Sequence, residues 1–181
     1  MESKETKFFL SLFLFLGHSN FHTRGEPREA LVAFAMLEDG NWTLPITNGT
    51  DIAYKPPLFH WAIASLSSII SEVNEYTSRM PSAIALMVMV LVGYAFYAKR
   101  RGKELAFLTS LITLTNFEVH RAGVACRVDM LLSALMVLAL YALYQWTERK
   151  MKGLPWWGIL CLSGAFLTKG PVGVVLPCAV V

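Results

Sequence analysis

Residues 81–103, PSAIALMVMVLVGYAFYAKRRGK, decide the fold class. Pro81 to Ala98 gives 18 uncharged residues, and Lys99-Arg100-Arg101-Gly102-Lys103 follows at once. A run of that length crosses the hydrocarbon core as a helix, and a basic turn at its end belongs on the cytoplasmic side. The whole chain has the same bias: 181 residues, 55 % hydrophobic, 16 % charged, mean hydropathy +0.47. A soluble domain carries about a quarter of its residues charged. Membrane residence is therefore the first expectation.

Working outward, Met130 to Thr147 gives a second uncharged run of 18, closed by Glu148-Arg149-Lys150-Met151-Lys152. The pattern predicts an all-α, polytopic transmembrane bundle. Its spans are expected at about 7–22, 81–98, 104–121, 129–147 and 154–168, with the start of a sixth at 171–181. The first run, KFFLSLFLFLG at Lys7–Gly17, has the length of a signal peptide's apolar region but no small-residue cleavage pattern after it. It reads as an uncleaved span. The chain stops inside an apolar run, which implies a partial sequence. Cys126, Cys161 and Cys178 are odd in number, lack metal spacing and sit among apolar neighbours, as small core or lipid-facing residues do.

Between the first two spans lies an external loop of about 23–80. Pro27 suits the first turn of a helix carrying Leu31, Phe34, Ala35 and Glu38 at helical spacing. In Tyr54-Lys55-Pro56-Pro57-Leu58-Phe59-His60-Trp61, Pro56 keeps Lys55 out of the helical region and Pro57 can open a helix. Leu58, Trp61, Ala62, Leu66, Ile69 and Ile70 mark one face of that helix. At about 15 residues it is too short to cross, so both loop helices are read as interfacial. His60 reads as an interfacial polar residue.

Nine of the 16 lysines and arginines lie at the N-terminus or in the two basic turns, on the cytoplasmic side. The other seven, Arg24, Arg28, Lys55, Arg79, Arg121, Arg127 and Lys169, fall singly beside apolar segments on the opposite side, with Glu26, Glu118 and Asp129. Ionisable groups at that depth are costly, pair with one another and mark substrate paths. Converging cations suit a lipid phosphate. One carboxylate would take the proton of an acceptor hydroxyl as a glycosyl group leaves phosphate, and the cations would offset the growing phosphate charge. Asp129 also has the position of a helix cap. Spacing does not decide which carboxylate is the base. No phosphate-cradling glycine loop or nucleic-acid motif occurs in the sequence.

Arg24-Gly25-Glu26-Pro27-Arg28-Glu29, Tyr54-Lys55-Pro56-Pro57, Arg79-Met80-Pro81-Ser82, Arg127-Val128-Asp129-Met130 and Thr168-Lys169-Gly170-Pro171 follow one another in an order that resembles the polyprenyl-phosphate-sugar glycosyltransferases of GT-C architecture. These include lipid A aminoarabinose transferases and protein O-mannosyltransferase-like bacterial enzymes. The resemblance covers nearly the whole chain, as the N-terminal third or so of such an enzyme. It implies a multi-pass bacterial inner-membrane transferase, active on the periplasmic side, which moves a sugar from a polyprenyl-phosphate carrier to a lipid or envelope-glycan acceptor with inversion at the anomeric carbon. Glu26 and Asp129 are its expected catalytic acids. Arg28, Tyr54, Lys55, Arg127 and Lys169 are its expected phosphate ligands, with His120 behind them. A divalent cation is left open, with Glu26 and Asp129 as candidate ligands; no other cofactor is implied. Two departures stand out: the usual Asp-Glu is Gly25-Glu26, and an acidic residue common before the lysine is Tyr54. The alternatives are a lipid or ion transporter component, or an inactive truncated fragment.

Overall fold

The computed structural model describes residues 13–23, 25–47, 51–53, 55–70 and 72–180. These form helices α1 (Gly25–Asp39), α2 (Leu58–Ile70), α3 (Glu75–Arg101), α4 (Lys103–Thr115), α5 (Phe117–Gly123), α6 (Val128–Glu148), α7 (Trp156–Lys169) and α8 (Val172–Val180). Between α1 and α2, strands β1 (Ile46–Thr47) and β2 (Asp51–Ile52) pair antiparallel, with Ile46 opposite Ile52. The fold is thus mostly helical.

Two helices, α3 and α6, are long and apolar enough to cross a membrane alone. They run parallel. Near their starts, Ser82 Oγ donates to the Arg127 carbonyl at 3.2 Å, and near their ends Phe96 stacks on Tyr141 and Arg100 pairs with Glu148. The cytoplasmic-type basic turns therefore share one end of the bundle. The other end gathers the acids and bases of the loop helices, of the α5–α6 hairpin and of the end of α7.

Several boundaries differ from the sequence reading. Helix α3 starts at Glu75, six residues before Pro81, because Asn74 and Thr77 form a reciprocal cap: Thr77 N–H donates to Asn74 Oδ1 and Asn74 N–H to Thr77 Oγ1, both at 3.0 Å. Pro81 lies inside the helix, and the added turn carries Arg79 inward. The expected helix over 104–121 is broken at Asn116, whose Oδ1 accepts from the N–H groups of Glu118 and Val119 and so starts α5. A local side-chain cap overrides the hydropathy run in both places. Span 7–22 falls partly outside the described residues.

The loop helices form where expected. Helix α1 buries Glu26, Glu29, Ala30, Ala33 and Met36, leaving Leu31 and Phe34 exposed; α2 buries Phe59, His60, Ile63, Ala64 and Ser67, leaving Ile69 and Ile70 exposed. Leu31, Phe34, Ile69 and Ile70, marked by the apolar spacing, stay on the outer faces, while each helix takes polar groups inward to meet partners. Val32, Ala33, Met36, Phe59, Ile63 and Ala64 pack with Cys126 and Val128 into one core. A second core joins α3, α4 and α6 through Leu86, Met89, Leu114, Met130 and Ala134. Leu131 touches both.

Arg79 and Glu26 tie these parts together. Both are buried, and Arg79 Nε donates to Glu26 Oε1 at 3.1 Å. The guanidinium also donates to the carbonyls of Leu16, Ser19 and Asn20 at 2.7, 2.8 and 3.0 Å. Removing one member of a buried pair strands the other charge, at a cost of about 3–5 kcal/mol. We expect Arg79→Met to destabilise the protein by about that amount, read as a lowered melting temperature in detergent. A wild-type melting temperature would refute this role for the pair.

Candidate functional site at the charged end of the bundle

Three of the carboxylates at this end, Glu26, Glu29 and Asp129, stand in different electrostatic settings. Glu26 is closed. Its Oε2 accepts from the backbone N–H of His22 (2.8 Å) and Thr23 (3.2 Å), and its Oε1 from Cys126 N–H (3.0 Å) and Arg79. Burial pushes the carboxyl up, but the backbone donors of Cys126 and His22 and the Arg79 contact outweigh it and hold the group below its ordinary value. With four donors on two oxygens, Glu26 has little capacity left to accept a substrate proton. Its visible work is to fix the start of α1 to α3 and to the α5–α6 hairpin.

Glu29 lies one helical turn further on, on the same buried face. Its Oε1 is bonded by the Lys55 ammonium, with Arg28 at 3.5 Å, and its Oε2 by His60 Nε2 at 2.7 Å. Burial raises its pKa, while the His60 and Lys55 bonds and the Lys55 charge bring it down to about 2. The Lys55 side chain stays one quarter exposed, whereas Glu29 and His60 are closed in. Lys55 is thus held from beneath and open above.

Asp129 is the accessible acid. Its side chain is 38 % exposed, Lys169 Nζ reaches Oδ1 at 2.6 Å, and Arg127 Nε lies 3.4 Å from Oδ2. It sits inside the first turn of α6, whose N-cap is Arg127 with no side-chain cap bond, so Asp129 is not the helix cap. Lys169 reaches it from the last turn of α7, just before Gly170, which ends that helix at a φ of 75°. That backbone conformation favours glycine.

The short segment between α5 and α6 connects these settings. Cys126 N–H binds Glu26, and burial followed by the charges of Glu29 and Glu26 pushes the Cys126 thiol up. Three residues later the same strand of chain delivers Asp129. Of the expected residues, Glu26, Arg28, Lys55, Arg127, Asp129 and Lys169 all stand at this end. His120 is on α5, exposed, and Tyr54 lies outside the described residues. Glu29 and His60 are not singled out by the motifs. The signal for Glu29 was its i+3 spacing from Glu26, which places both acids on one helical face. His60 does not lie at an interface, because a buried carboxylate holds it.

Among the described residues, no three His, Cys, Asp or Glu side chains come together as a metal site. Glu26 faces N–H donors and Asp129 faces two cations. Neither set fits a divalent cation as it stands.

A mostly helical fold with two helices long and apolar enough to cross a membrane, and with paired cations and carboxylates at one end, defines the class, and the comparisons give the family. Residues 54–181 match the family described as dolichyl-phosphate-mannose-protein mannosyltransferase, and the chain belongs to it. It is 31 % identical over 180 residues to the undecaprenyl phosphate-alpha-4-amino-4-deoxy-L-arabinose arabinosyl transferase 2 of Proteus mirabilis, covering 94 % of this chain and 32 % of that protein. The corresponding transferase of Shewanella sediminis is 27 % identical, over 96 % of this chain and 33 % of its own length. In fold, the chain resembles ArnT from Cupriavidus metallidurans bound to undecaprenyl phosphate, with a TM-score of 0.83 at 21 % identity, covering 98 % of this chain and 35 % of that one. The chain spans about a third of the length of the relatives it matches.

The depressed Glu29 pKa has a definite sign. The carboxylate's contribution to stability is complete above its ordinary value of 4.5 and is lost as pH falls through about 2. Glu29→Gln should therefore lower the melting temperature at pH 6 and narrow its gap to wild type as pH approaches 2. An unchanged gap across that range would remove the assignment.

Proposed function

We propose that this chain forms the donor-phosphate region of a multi-pass bacterial inner-membrane glycosyltransferase. The enzyme moves a sugar from a polyprenyl-phosphate carrier to a lipid or envelope glycan on the periplasmic side, as in lipid A modification. The observation that carries this reading is the pair of lysine–carboxylate contacts, Lys55–Glu29 and Lys169–Asp129, at one end of the bundle. Around them, four cations (Arg28, Lys55, Arg127, Lys169) face two carboxylates, so positive charge remains for a phosphate. Family membership and the relatives, which are undecaprenyl phosphate arabinosyl transferases, agree with such a donor.

In this reading Asp129 is the base. It takes the proton of the acceptor hydroxyl as that oxygen bonds the anomeric carbon and the bond from that carbon to the phosphate oxygen breaks, with inversion. The bonding electrons leave on the phosphate. Lys55, Arg127 and Lys169 stabilise that charge, and Arg28 and Tyr54 extend the phosphate site. Glu26 keeps the catalytic region assembled. The apolar outer faces of α1 and α2, with Leu31, Phe34, Ile69 and Ile70, lie on the lipid interface, where a polyprenyl chain arrives.

The test uses the protein as its gene encodes it. Labelled polyprenyl-phosphate sugar should be consumed by the wild type. A transporter would move it intact. Asp129→Asn should lower kcat by about 10²–10⁴-fold, and Lys55→Ala should abolish transfer while membrane insertion is kept. Retained activity in both variants would end this assignment.

A further inference from the structure

Glu29 and His60 have no part in the reaction just described, yet both are buried charged or polar groups held by close neighbours. Lys55 is one residue before Pro56-Pro57, so its backbone is stiff while its four-carbon side chain is not. Its ammonium has three N–H donors, and the bond to Glu29 uses one of them. Among the described residues its remaining donors meet no other partner, and the side chain is one quarter exposed. Glu29 has little freedom to move, because Lys55 holds one oxygen and His60 the other.

His60 is 1 % exposed, its Nε2 bonds Glu29, and its Nδ1 is buried without a partner among the described residues. Facing a carboxylate oxygen, Nε2 carries a proton and donates it to Glu29 Oε2. A lysine or arginine at this position would compete with Lys55 for the carboxylate. Phe59 and the α1–α2 core keep the ring in place, with its centroid 6.2 Å from that of Phe59.

We propose that Glu29 and His60 are positioning residues for Lys55: His60 fixes the Glu29 carboxylate, and the carboxylate fixes the lysine ammonium against the donor phosphate. The proposal rests on reading Lys55 as a phosphate ligand and adds what sets its aim. The charged groups around the trio are Arg28 on α1, Glu26 with Arg79 of α3, and the Cys126 thiol. None of them replaces Glu29 as a partner of Lys55.

Two measurements test it. Glu29→Gln keeps the shape and removes one negative charge, so the site becomes more positive but Lys55 loses its hold. We expect kcat to fall about 10–100-fold, the scale of a misplaced catalytic group, while KM for the polyprenyl-phosphate sugar stays level or drops. A raised KM with an unchanged kcat, or wild-type values for both, would overturn the proposal. The second measurement does not depend on turnover: modification of Lys55 by a water-soluble amine reagent, followed by mass spectrometry of the membrane protein. The tethered ammonium of the wild type should react slowly, and Glu29→Gln and His60→Leu should each speed the reaction several-fold. His60→Gln, which retains a donor, should stay close to wild type. Equal labelling in all four proteins refutes the positioning role. If the wild type consumes no donor but labelling follows this order, the transferase reading fails and the positioning of Lys55 stands.

Discussion

The structure depends on a buried contact between Arg79 and Glu26. The guanidinium collects three carbonyls from residues 16–20, and the carboxylate collects the N–H groups of His22, Thr23 and Cys126. Four separate parts of the chain thus meet on two side chains: the segment before α1, α1 itself, the start of α3 and the hairpin before α6. Neither charge could stand there alone. Because they are joined, α1 is held at the head of two long helices, and its next turn brings Glu29 to Lys55.

Much of this was legible in the sequence. The two uncharged runs became α3 and α6, and the basic turns came together at one end. Of the isolated charges, Arg79 pairs with Glu26, Arg121 with Glu118, Arg127 and Lys169 with Asp129, and Lys55 with Glu29. What could not be read is what depends on side-chain caps and on partners distant in the chain. Asn74 with Thr77 and Asn116 moved helix boundaries that hydropathy had placed elsewhere. Helices α1 and α2 were recognisable, but their inward faces were not, since those faces carry Glu26, Glu29 and His60 to partners as far as 26 to 100 residues away.

The same limit explains the site. Motif order pointed to Glu26, Lys55, Asp129 and Lys169. Three-dimensional proximity gives the acids separate roles. Glu26 is closed and holds the scaffold, Glu29 holds a lysine, and Asp129 is accessible and shares its oxygens with Lys169 and Arg127. The missing aspartate at Gly25 and the tyrosine at position 54 look like losses in the sequence. In the folded chain a further carboxylate, Glu29, stands one turn from Gly25 and is bound to the lysine beside Tyr54.

The parallel course of α3 and α6 has an electrical consequence. Peptide dipoles add along a helix, leaving roughly half a positive charge at its N-terminus and half a negative one at its C-terminus. Both long helices start at the end where Asp129 and Lys55 lie, and both finish among Lys99, Arg100, Arg101, Arg149 and Lys150. The heads of α3 and α6 thus favour anions, the C-terminus of α7 beside Lys169 opposes them, and the basic turns quench the far poles. An anion is drawn to the two helix heads rather than to the end as a whole.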